Sequence, residues 1–321
     1  AVNARWGSFY DALYGTDALG DMPKGNNYDA ERGARVVAFA KSHLDKFAPL
    51  LNASWREINK IQLLENKIVL SSANNSNINL ENNNQIIGWR KNQKSILTEL
   101  ILLKNNLHCR ILINANDAIG KNDPANIADI LIESAISTIL DCEDSVATVD
   151  ADDKILAYRN WLGLVKGDLQ AEFKKNNQIV TRTLNKDIKF CTNKGSEEFL
   201  KTRSLMLIRN VGHLMTTPAI LNKDNQEIGE GVMDAIITTL IATYDFKKET
   251  NKNSEHKSIY IVKPKMHGPE EVEFTDQLFS AVESLLDLPK STIKIGIMDE
   301  ERRTSVNLKE CIRAAKSRVA F

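Results

Sequence analysis

The sequence predicts an α/β protein made of the βα units of a (β/α) barrel, with an inserted α+β domain. Three observations support this fold class. Apolar runs rich in β-branched residues end in charged residues, helical patterns follow several of these runs, and residues 6–133 show a different pattern. Because active sites of (β/α) barrels lie at the carboxyl ends of the strands, the charged endings are candidates for chemistry.

Four apolar runs are expected to form parallel strands, at residues 135–140, 205–208, 259–262 and 293–298. The residues that follow them are, in order, Asp141 with Glu143, Arg209, Lys263 with Lys265, and Asp299 to Arg302. Helical patterns are predicted at 230–244, 269–286 and 307–320, and Pro269 suits a first helical turn. The first of these helices carries an i, i+4 apolar stripe of Val232, Ile236, Leu240 and Tyr244.

The inserted region has its own signals. A helical pattern lies within residues 28–51, and strands are predicted at 67–71, 85–89, 97–103 and 107–114. Asn105 and Asn106 suggest a tight turn between the last two strands, and the Asn-rich segment 73–84 suggests a mobile surface loop. We therefore predict these domains: 1–5 barrel start, 6–133 inserted α+β domain, 134–166 barrel strand and helix, 167–203 second insert packing with the first, and 204–321 barrel βα units.

Composition limits the classes of function. The 321 residues carry 42 Lys and Arg against 42 Asp and Glu, and a formal net charge of zero argues against nucleic acid or an anionic membrane as a partner. No apolar run approaches the roughly 18 residues of a membrane span. The four cysteines are far apart and form no CxxC pair, so we expect reduced thiols in a cytoplasmic protein. The chain starts at Ala1 instead of Met, which predicts processing or a longer parent.

The acidic strand ends are candidates for a metal site. Mg²⁺ prefers hard oxygen ligands and keeps several waters, so Glu300 together with Asp141 and Glu143 would suffice. Alternatively, these acids pair with Arg302, Arg303 or lysines as structural ion pairs. Both interpretations stay open at this point.

Other charged residues near the strand ends have competing roles. Arg209 directly follows an apolar run, and its planar guanidinium suits either a carboxylate substrate or a structural ion pair. We favour the substrate role. His213 is predicted to be a satisfied core residue and not a base, and Lys263 and Lys265 are predicted to have structural or supporting roles.

Six segments resemble one known family: residues 3–17, 133–146, 158–163, 203–215, 259–269 and 296–304. In their order and over nearly the whole chain they resemble malate synthase, isoform G. The resemblance implies a partial (β/α)8 barrel of the TIM type. It also implies a Mg²⁺-dependent Claisen condensation of glyoxylate with acetyl-CoA, giving malate and CoA in the glyoxylate cycle.

The same resemblance implies residue roles. Arg209 would be the catalytic arginine and would contact glyoxylate, and Glu300 would bind both Mg²⁺ and glyoxylate. Asp141 and Glu143 would hold metal-bound waters. Ser145 and Arg182 would contact acetyl-CoA, although the motif around Arg182 is short.

The family pattern continues beyond this sequence. The second carboxylate ligand of the metal would follow residues 318–321, the base that deprotonates acetyl-CoA would lie further on, and a helical domain would precede Ala1. We therefore expect an internal segment that is inactive alone, from a parent that is a cytoplasmic monomer. Two alternatives remain: a Mg²⁺-dependent aldolase or acyl-CoA lyase on a related barrel, and a non-catalytic fragment.

Overall fold

A computed structural model describes residues 2–25, 27–143 and 148–321 of the chain. The chain divides into two compact units. Unit 1 comprises Ala1–Ile136 and Asp187–Thr202, and unit 2 comprises Ser137–Lys186 and Arg203–Phe321. The chain therefore leaves unit 1, returns to it once, and then completes unit 2.

The first half of the chain contains β1 (Val2–Arg5), α1 (Trp6–Gly15), α2 (Ala30–Phe47), β2 (Ile58–Leu64), β3 (Lys67–Ser72), β4 (Asn77–Ile78), β5 (Ile86–Lys91), β6 (Leu97–Lys104), β7 (Leu107–Ile113), β8 (Ile127–Ala135), β9 (Ser137–Asp141) and α3 (Ala151–Lys166). The second half contains β10 (Gln170–Lys175), β11 (Gln178–Thr183), β12 (Ile188–Thr192), β13 (Glu197–Leu200), β14 (Leu205–Arg209), β15 (Thr216–Leu221), β16 (Glu227–Gly229), α4 (Glu230–Ala242), β17 (Ile259–Lys263), α5 (Pro269–Leu285), β18 (Ile293–Ile297), α6 (Arg302–Val306) and α7 (Leu308–Ala314).

Unit 1 is built on an antiparallel seven-stranded sheet in the order β1-β8-β7-β6-β5-β12-β13. Helix α2 starts where the Asp29 carboxylate accepts hydrogen bonds from the amides of Glu31 and Arg32, a standard N-cap. The helix buries Val36, Ala40 and Leu44, at i, i+4 spacing, in the core of the unit.

The predicted strands of this region are present as β3, β5, β6 and β7, whereas the long strand β8 was not predicted. Asn105 and Asn106 have positive φ angles of 52° and 61°, as expected for a tight hairpin turn between β6 and β7. The segment 73–84, predicted to be a mobile loop, instead contains β4 and the buried side chain of Leu80. The asparagines of this segment cap turns, since Asn83 accepts a hydrogen bond from the Leu80 amide.

Unit 2 contains a parallel four-stranded sheet in the order β18-β17-β14-β9. These are the four strands predicted from the apolar runs, and helices α4 and α5 follow β14 and β17 as predicted. Beside β18, the chain at Val319 forms a parallel bridge to Ile295. The described residues form this open sheet of βα units and not a closed barrel.

The helices differ from the predicted patterns in two details. Helix α7 is shorter than residues 307–320. The predicted stripe is largely exposed: Val232 and Leu240 of α4, and Tyr244 just after its end, show 41%, 46% and 46% of their surface, while Met233 and Ala235 of α4 are buried. Because α4 is apolar on most of its faces, periodicity could not identify the packed one.

The predicted second insert, 167–203, is shared between the units. Hairpin β10–β11 belongs to unit 2, whereas β12 pairs with β5 in unit 1. Strand β1, predicted as a barrel start, pairs antiparallel with β8 in unit 1. The domain boundaries proposed from sequence stay predictions. Within the described parts of the chain, no helix has the length and apolar character needed to cross a membrane.

Candidate active site

The carboxyl ends of the parallel strands lie side by side in unit 2. Arg209 at the end of β14 is in register with Asp141 on β9 and Val262 on β17, and Lys263 is in register with Ile297 on β18. The charged residues that end the four strands therefore face one edge of the sheet, where (β/α) proteins place their active sites.

Arg209 is the centre of this cluster. Its Nε donates to Asp141 Oδ1 at 2.9 Å, its Nη2 contacts Asp141 Oδ2, and its Nη1 lies 3.0 Å from Glu143 Oε2. This bidentate pairing with Asp141, helped by the charges of Glu143 and Glu300, raises the pKa of the Arg209 guanidinium. Arg209 is thus held charged and oriented, with 22% of its side chain exposed.

The surroundings of Asp141 favour its ionised form. Burial acts to raise the pKa of Asp141, but hydrogen bonds from Arg209 and from the Glu143 amide lower it overall. The Glu143 side chain is only 4% exposed, and it contacts both Arg209 and the ammonium of Lys265. Of the ion-pair partners considered from sequence, a lysine, Lys265, is the one seen for Glu143, whereas Arg302 and Arg303 are not among the described partners of Asp141 and Glu143.

Lys265 links the third and fourth strand ends. Its backbone N–H donates to Glu300 Oε1 at 2.7 Å, and its side chain contacts Glu143. Lys265 has a left-handed backbone conformation with a φ angle of 53°, which residues other than glycine rarely adopt unless their surroundings constrain them. Sequence reasoning gave Lys265 only a supporting role, and the charged ending of the run 259–262 was the signal available for it.

The remaining predicted residues have different surroundings. The His213 Nε2 lies 2.8 Å from Thr275 Oγ1 and its ring packs edge-on against Phe274, so the ring is satisfied as predicted, although the residue is half-buried and not in the core. Arg182 lies on the exposed hairpin β10–β11, with its guanidinium 4.9 Å from the ring centre of Phe173. Ser145 lies outside the described residues.

The acids beside Glu300 have local partners. Asp299 Oδ1 accepts a hydrogen bond from Ser305 Oγ at 2.5 Å, and a Glu301 carboxylate oxygen is 3.9 Å from His267 Nδ1. Glu300 itself is exposed, and its described hydrogen bond comes from the Lys265 amide. Of the three consecutive acids, Glu300 is the one joined to the Arg209 cluster through Lys265.

The donor chemistry of this edge fits a hard divalent cation that keeps most of its waters. Carboxylate oxygens are the ligands that such cations prefer. However, Asp141 and Glu143 are already paired with Arg209 and Lys265. In the described part of the chain, no group of three His, Cys, Asp or Glu side chains could hold a metal ion. Glu300 is an exposed carboxylate at this edge, and its described hydrogen bond leaves oxygen lone pairs for a cation.

A parallel sheet of βα units with an arginine and carboxylates at its carboxyl edge is the arrangement in which the enzymes of the (β/α) class carry their active sites. Comparison with known proteins narrows the class. Residues 205–321 match the family model of the malate synthase TIM barrel domain, and residues 28–105 match that of the malate synthase G alpha-beta insertion domain. The chain therefore belongs to the malate synthase family.

Its relatives are similar over the whole chain. It is 46% identical over 325 residues to malate synthase G of Halalkalibacterium halodurans, covering all of this chain and 45% of that protein. It is 48% identical over 326 residues to malate synthase G of Corynebacterium glutamicum, covering all of this chain and 44% of that protein. The chain thus spans a little under half the length of the curated relatives it matches.

Proposed function

We propose that the full-length product of this gene is a malate synthase, which condenses glyoxylate with acetyl-CoA and hydrolyses the thioester to give malate and CoA. The observation that carries the proposal is the cluster of Arg209, Asp141, Glu143 and Glu300 at the carboxyl edge of the sheet, in a chain 46–48% identical to malate synthases G. Glyoxylate is a small anion with an aldehyde, and this cluster offers it a charged arginine and a carboxylate for a cation.

Arg209 is the proposed catalytic residue. When the acetyl carbon attacks the aldehyde, negative charge develops on the aldehyde oxygen, and a fixed guanidinium stabilises that charge. A hydrogen bond to Asp141 at 2.9 Å and an ion pair with Glu143 at 3.0 Å hold Arg209, so little reorganisation is needed during the reaction. The raised pKa of Arg209 keeps it cationic throughout.

Glu300 is the proposed ligand of Mg²⁺, the ion that the family resemblance implies. When bound there, Mg²⁺ would act as a Lewis acid on the aldehyde and neutralise charge on the substrate. Asp141 and Glu143 are proposed to hold waters of the ion as well as Arg209. Water and substrate oxygens would complete the coordination, as is usual for this cation.

Acetyl-CoA is proposed to contact Ser145 and Arg182. The guanidinium of Arg182 stands on an exposed hairpin, and its planar fork suits a phosphate of CoA. A cytoplasmic location and a monomeric parent also belong to this proposal. The four free cysteines, three of them buried, are in keeping with a reducing compartment.

The first experiment is the formation of malate from glyoxylate and acetyl-CoA by the full-length gene product with Mg²⁺. Malate and free CoA in equal amounts are expected. An acyl-CoA lyase or aldolase would instead make or break only the carbon–carbon bond, so any CoA thioester would stay intact and no free CoA would appear; that result would replace the proposal. For the 321-residue chain alone we expect no turnover, and calorimetry with Mg²⁺ and glyoxylate would separate a surviving half-site from a non-catalytic fragment.

The role of Arg209 has its own test. Arg209→Ala is expected to lower kcat by about 100- to 1000-fold, because one donor to a developing oxyanion has that effect. Since the substitution also leaves the nearly buried Glu143 with one cation fewer, thermal unfolding must be measured alongside activity. A folded Arg209→Ala protein with a normal kcat would rule out the assigned role.

A further inference from the structure

Four charged side chains lie buried behind the candidate site. Lys154 of α3, Glu230 and Asp234 of α4, and Lys263 of β17 are 2%, 6%, 0% and 0% exposed. Lys154 Nζ lies 2.6 Å from Glu230 Oε1 and 3.2 Å from Asp234 Oδ1. With two positive and two negative charges, the group, which we term the buried tetrad, is electrically balanced.

The buried tetrad is hydrogen-bonded to the strand ends that carry the site. Lys154 Nζ donates to the carbonyl of Cys142 at 2.6 Å, directly before Glu143. Asp234 Oδ2 accepts from the Val211 amide at 2.8 Å, two residues after Arg209. Because Lys154 and Asp234 also contact each other, the ends of β9 and β14 are tied to one ion pair.

Lys263 connects the end of a third strand, β17, to the same group of residues. Its ammonium donates to the Val211 carbonyl at 2.5 Å, and Asp234 acts on it electrostatically. Lys263 is the last residue of β17, two positions before Lys265. The buried tetrad therefore fixes the carboxyl ends of β9, β14 and β17 relative to one another.

The charge states are consistent with this arrangement. Burial opposes the charge of Lys154, but Asp234 and Glu230 more than offset it, so the pKa of Lys154 is raised. Burial lowers the pKa of Lys263 to about 8, partly countered by Asp234. Both lysines thus retain their protons at neutral pH and can donate to the carbonyls.

Stability alone is a weak reason for such a cluster. Desolvating ions is costly, and well-packed apolar residues of similar volume often stabilise a fold as well or better. A lysine ammonium that donates to several fixed acceptors holds those acceptors in a defined geometry, which an apolar side chain cannot do. The specific benefit of the buried tetrad is then the geometry of the strand ends.

We propose that Lys154 and Asp234 are positioning residues, which set Glu143 and Arg209 at the distance that the reaction needs by fixing the backbone at Cys142 and Val211. The catalytic part of this inference rests on the proposed malate synthase function. The positional part concerns the backbone alone and can be tested without any activity.

The test uses a charge-balanced double variant, Lys154→Met with Glu230→Gln, in the full-length gene product. It removes one charge of each sign and leaves Asp234 with Lys263. The matched control is Arg318→Met with Glu283→Gln. That pair is also buried, with Arg318 Nη1 2.6 Å from Glu283 Oε1, but Glu283 holds the amide of Ile293 at the amino end of β18.

Three quantities are compared in both variants: the unfolding midpoint, amide hydrogen exchange at residues 141–143 and 209–211, and kcat with KM. For the tetrad variant we expect faster exchange in both segments and a 10- to 100-fold lower kcat, the usual loss when a supporting partner is removed. For the control we expect a similar or larger fall in the midpoint and an unchanged kcat.

The outcomes separate the claims. Unchanged exchange in both segments in a folded tetrad variant overturns the positioning role. A kcat that falls equally in both variants, in step with the midpoint, shows a merely structural role and also overturns it. If the wild-type product makes no malate, the proposed function fails, and the exchange comparison still decides the positional part. Should the double variant not fold, Lys154→Gln is measured in the same way.

Discussion

Glu300→Gln offers the sharpest separation of chemistry from stability at this site. Glu300 is exposed, and its described hydrogen bond is accepted from the Lys265 amide at 2.7 Å. A glutamine carbonyl can accept the same bond, so the free energy of unfolding should change by less than about 0.5 kcal/mol. Arg209 keeps its charge as well, because Asp141 and not Glu300 is the main cause of its raised pKa.

The substitution does remove the carboxylate charge that we assign to the cation. We expect kcat/KM to fall by at least about 100-fold, which corresponds to roughly 2.7 kcal/mol of transition-state stabilisation. Malate formation by the full-length gene product is measured as a function of Mg²⁺ concentration, with thermal unfolding in parallel. A higher Mg²⁺ requirement at an unchanged midpoint is the expected pattern.

The neighbouring acids provide matched controls. Asp299→Asn retains an acceptor for Ser305, and Glu301→Gln removes a carboxylate 3.9 Å from His267. Both variants should stay within about threefold of wild-type activity, a difference of ~0.65 kcal/mol. The reasoning is refuted if Glu300→Gln retains normal activity and Mg²⁺ dependence, or if Asp299→Asn loses as much as Glu300→Gln does.

Three further perturbations test other parts of the structure. Gly231→Ala should lower stability by about 1–3 kcal/mol, since its Cβ would lie 2.7 Å from Lys263 Nζ and 2.9 Å from backbone oxygens; an unchanged midpoint would contradict this packing. Burial, with Lys263 nearby, lowers the pKa of His213 to about 4, so the unfolded chain protonates first on acidification. The free energy of unfolding should therefore fall between about pH 6.5 and pH 4, by at most ~3 kcal/mol and by nearer 2 kcal/mol after solvent screening. In urea titrations over this pH range, His213→Gln should show a smaller fall. In unit 1, Lys41→Met leaves Asp123 buried without its charge partner at 2.7 Å and should lower the free energy of unfolding by about 3–5 kcal/mol in the same titration, whereas a change under 1 kcal/mol would contradict a buried ion pair here.

The sequence was most informative where an apolar run is followed directly by charged residues. Each of the four parallel strands was recognisable because an apolar, β-branched run ended abruptly in charge, and the expectation that these endings meet at one edge agrees with the contacts of Arg209 with Asp141 and Glu143. Periodicity also located α4 and α5 along the chain, but in α4 it pointed to an exposed face. By contrast, β8 was missed because its run, 127–135, includes Asp129 and Glu133, whose charges mask a strand in single-sequence reasoning.

The supporting residues could not be predicted from the sequence. Lys154, Glu230 and Asp234 occur in helices where charged residues are ordinarily solvated, and only the tertiary fold shows that they are buried together. Their partners lie about 80 residues apart in the chain, as for Lys154 and Asp234. Local pattern carries no information over such separations. The contact of Lys265 with Glu143 depends on the same long-range geometry.

The return of residues 187–202 to unit 1 has a consequence for folding during synthesis. Strand β12 must pair with β5, which precedes it by about a hundred residues, and β9 and α3 of unit 2 are made in between. The ribosome therefore delivers part of unit 2 before the sheet of unit 1 is complete. Neither unit can finish folding from one continuous stretch of nascent chain. Until β12 (Ile188–Thr192) emerges, β5 remains an open edge, available to pair with a wrong strand or with another nascent chain.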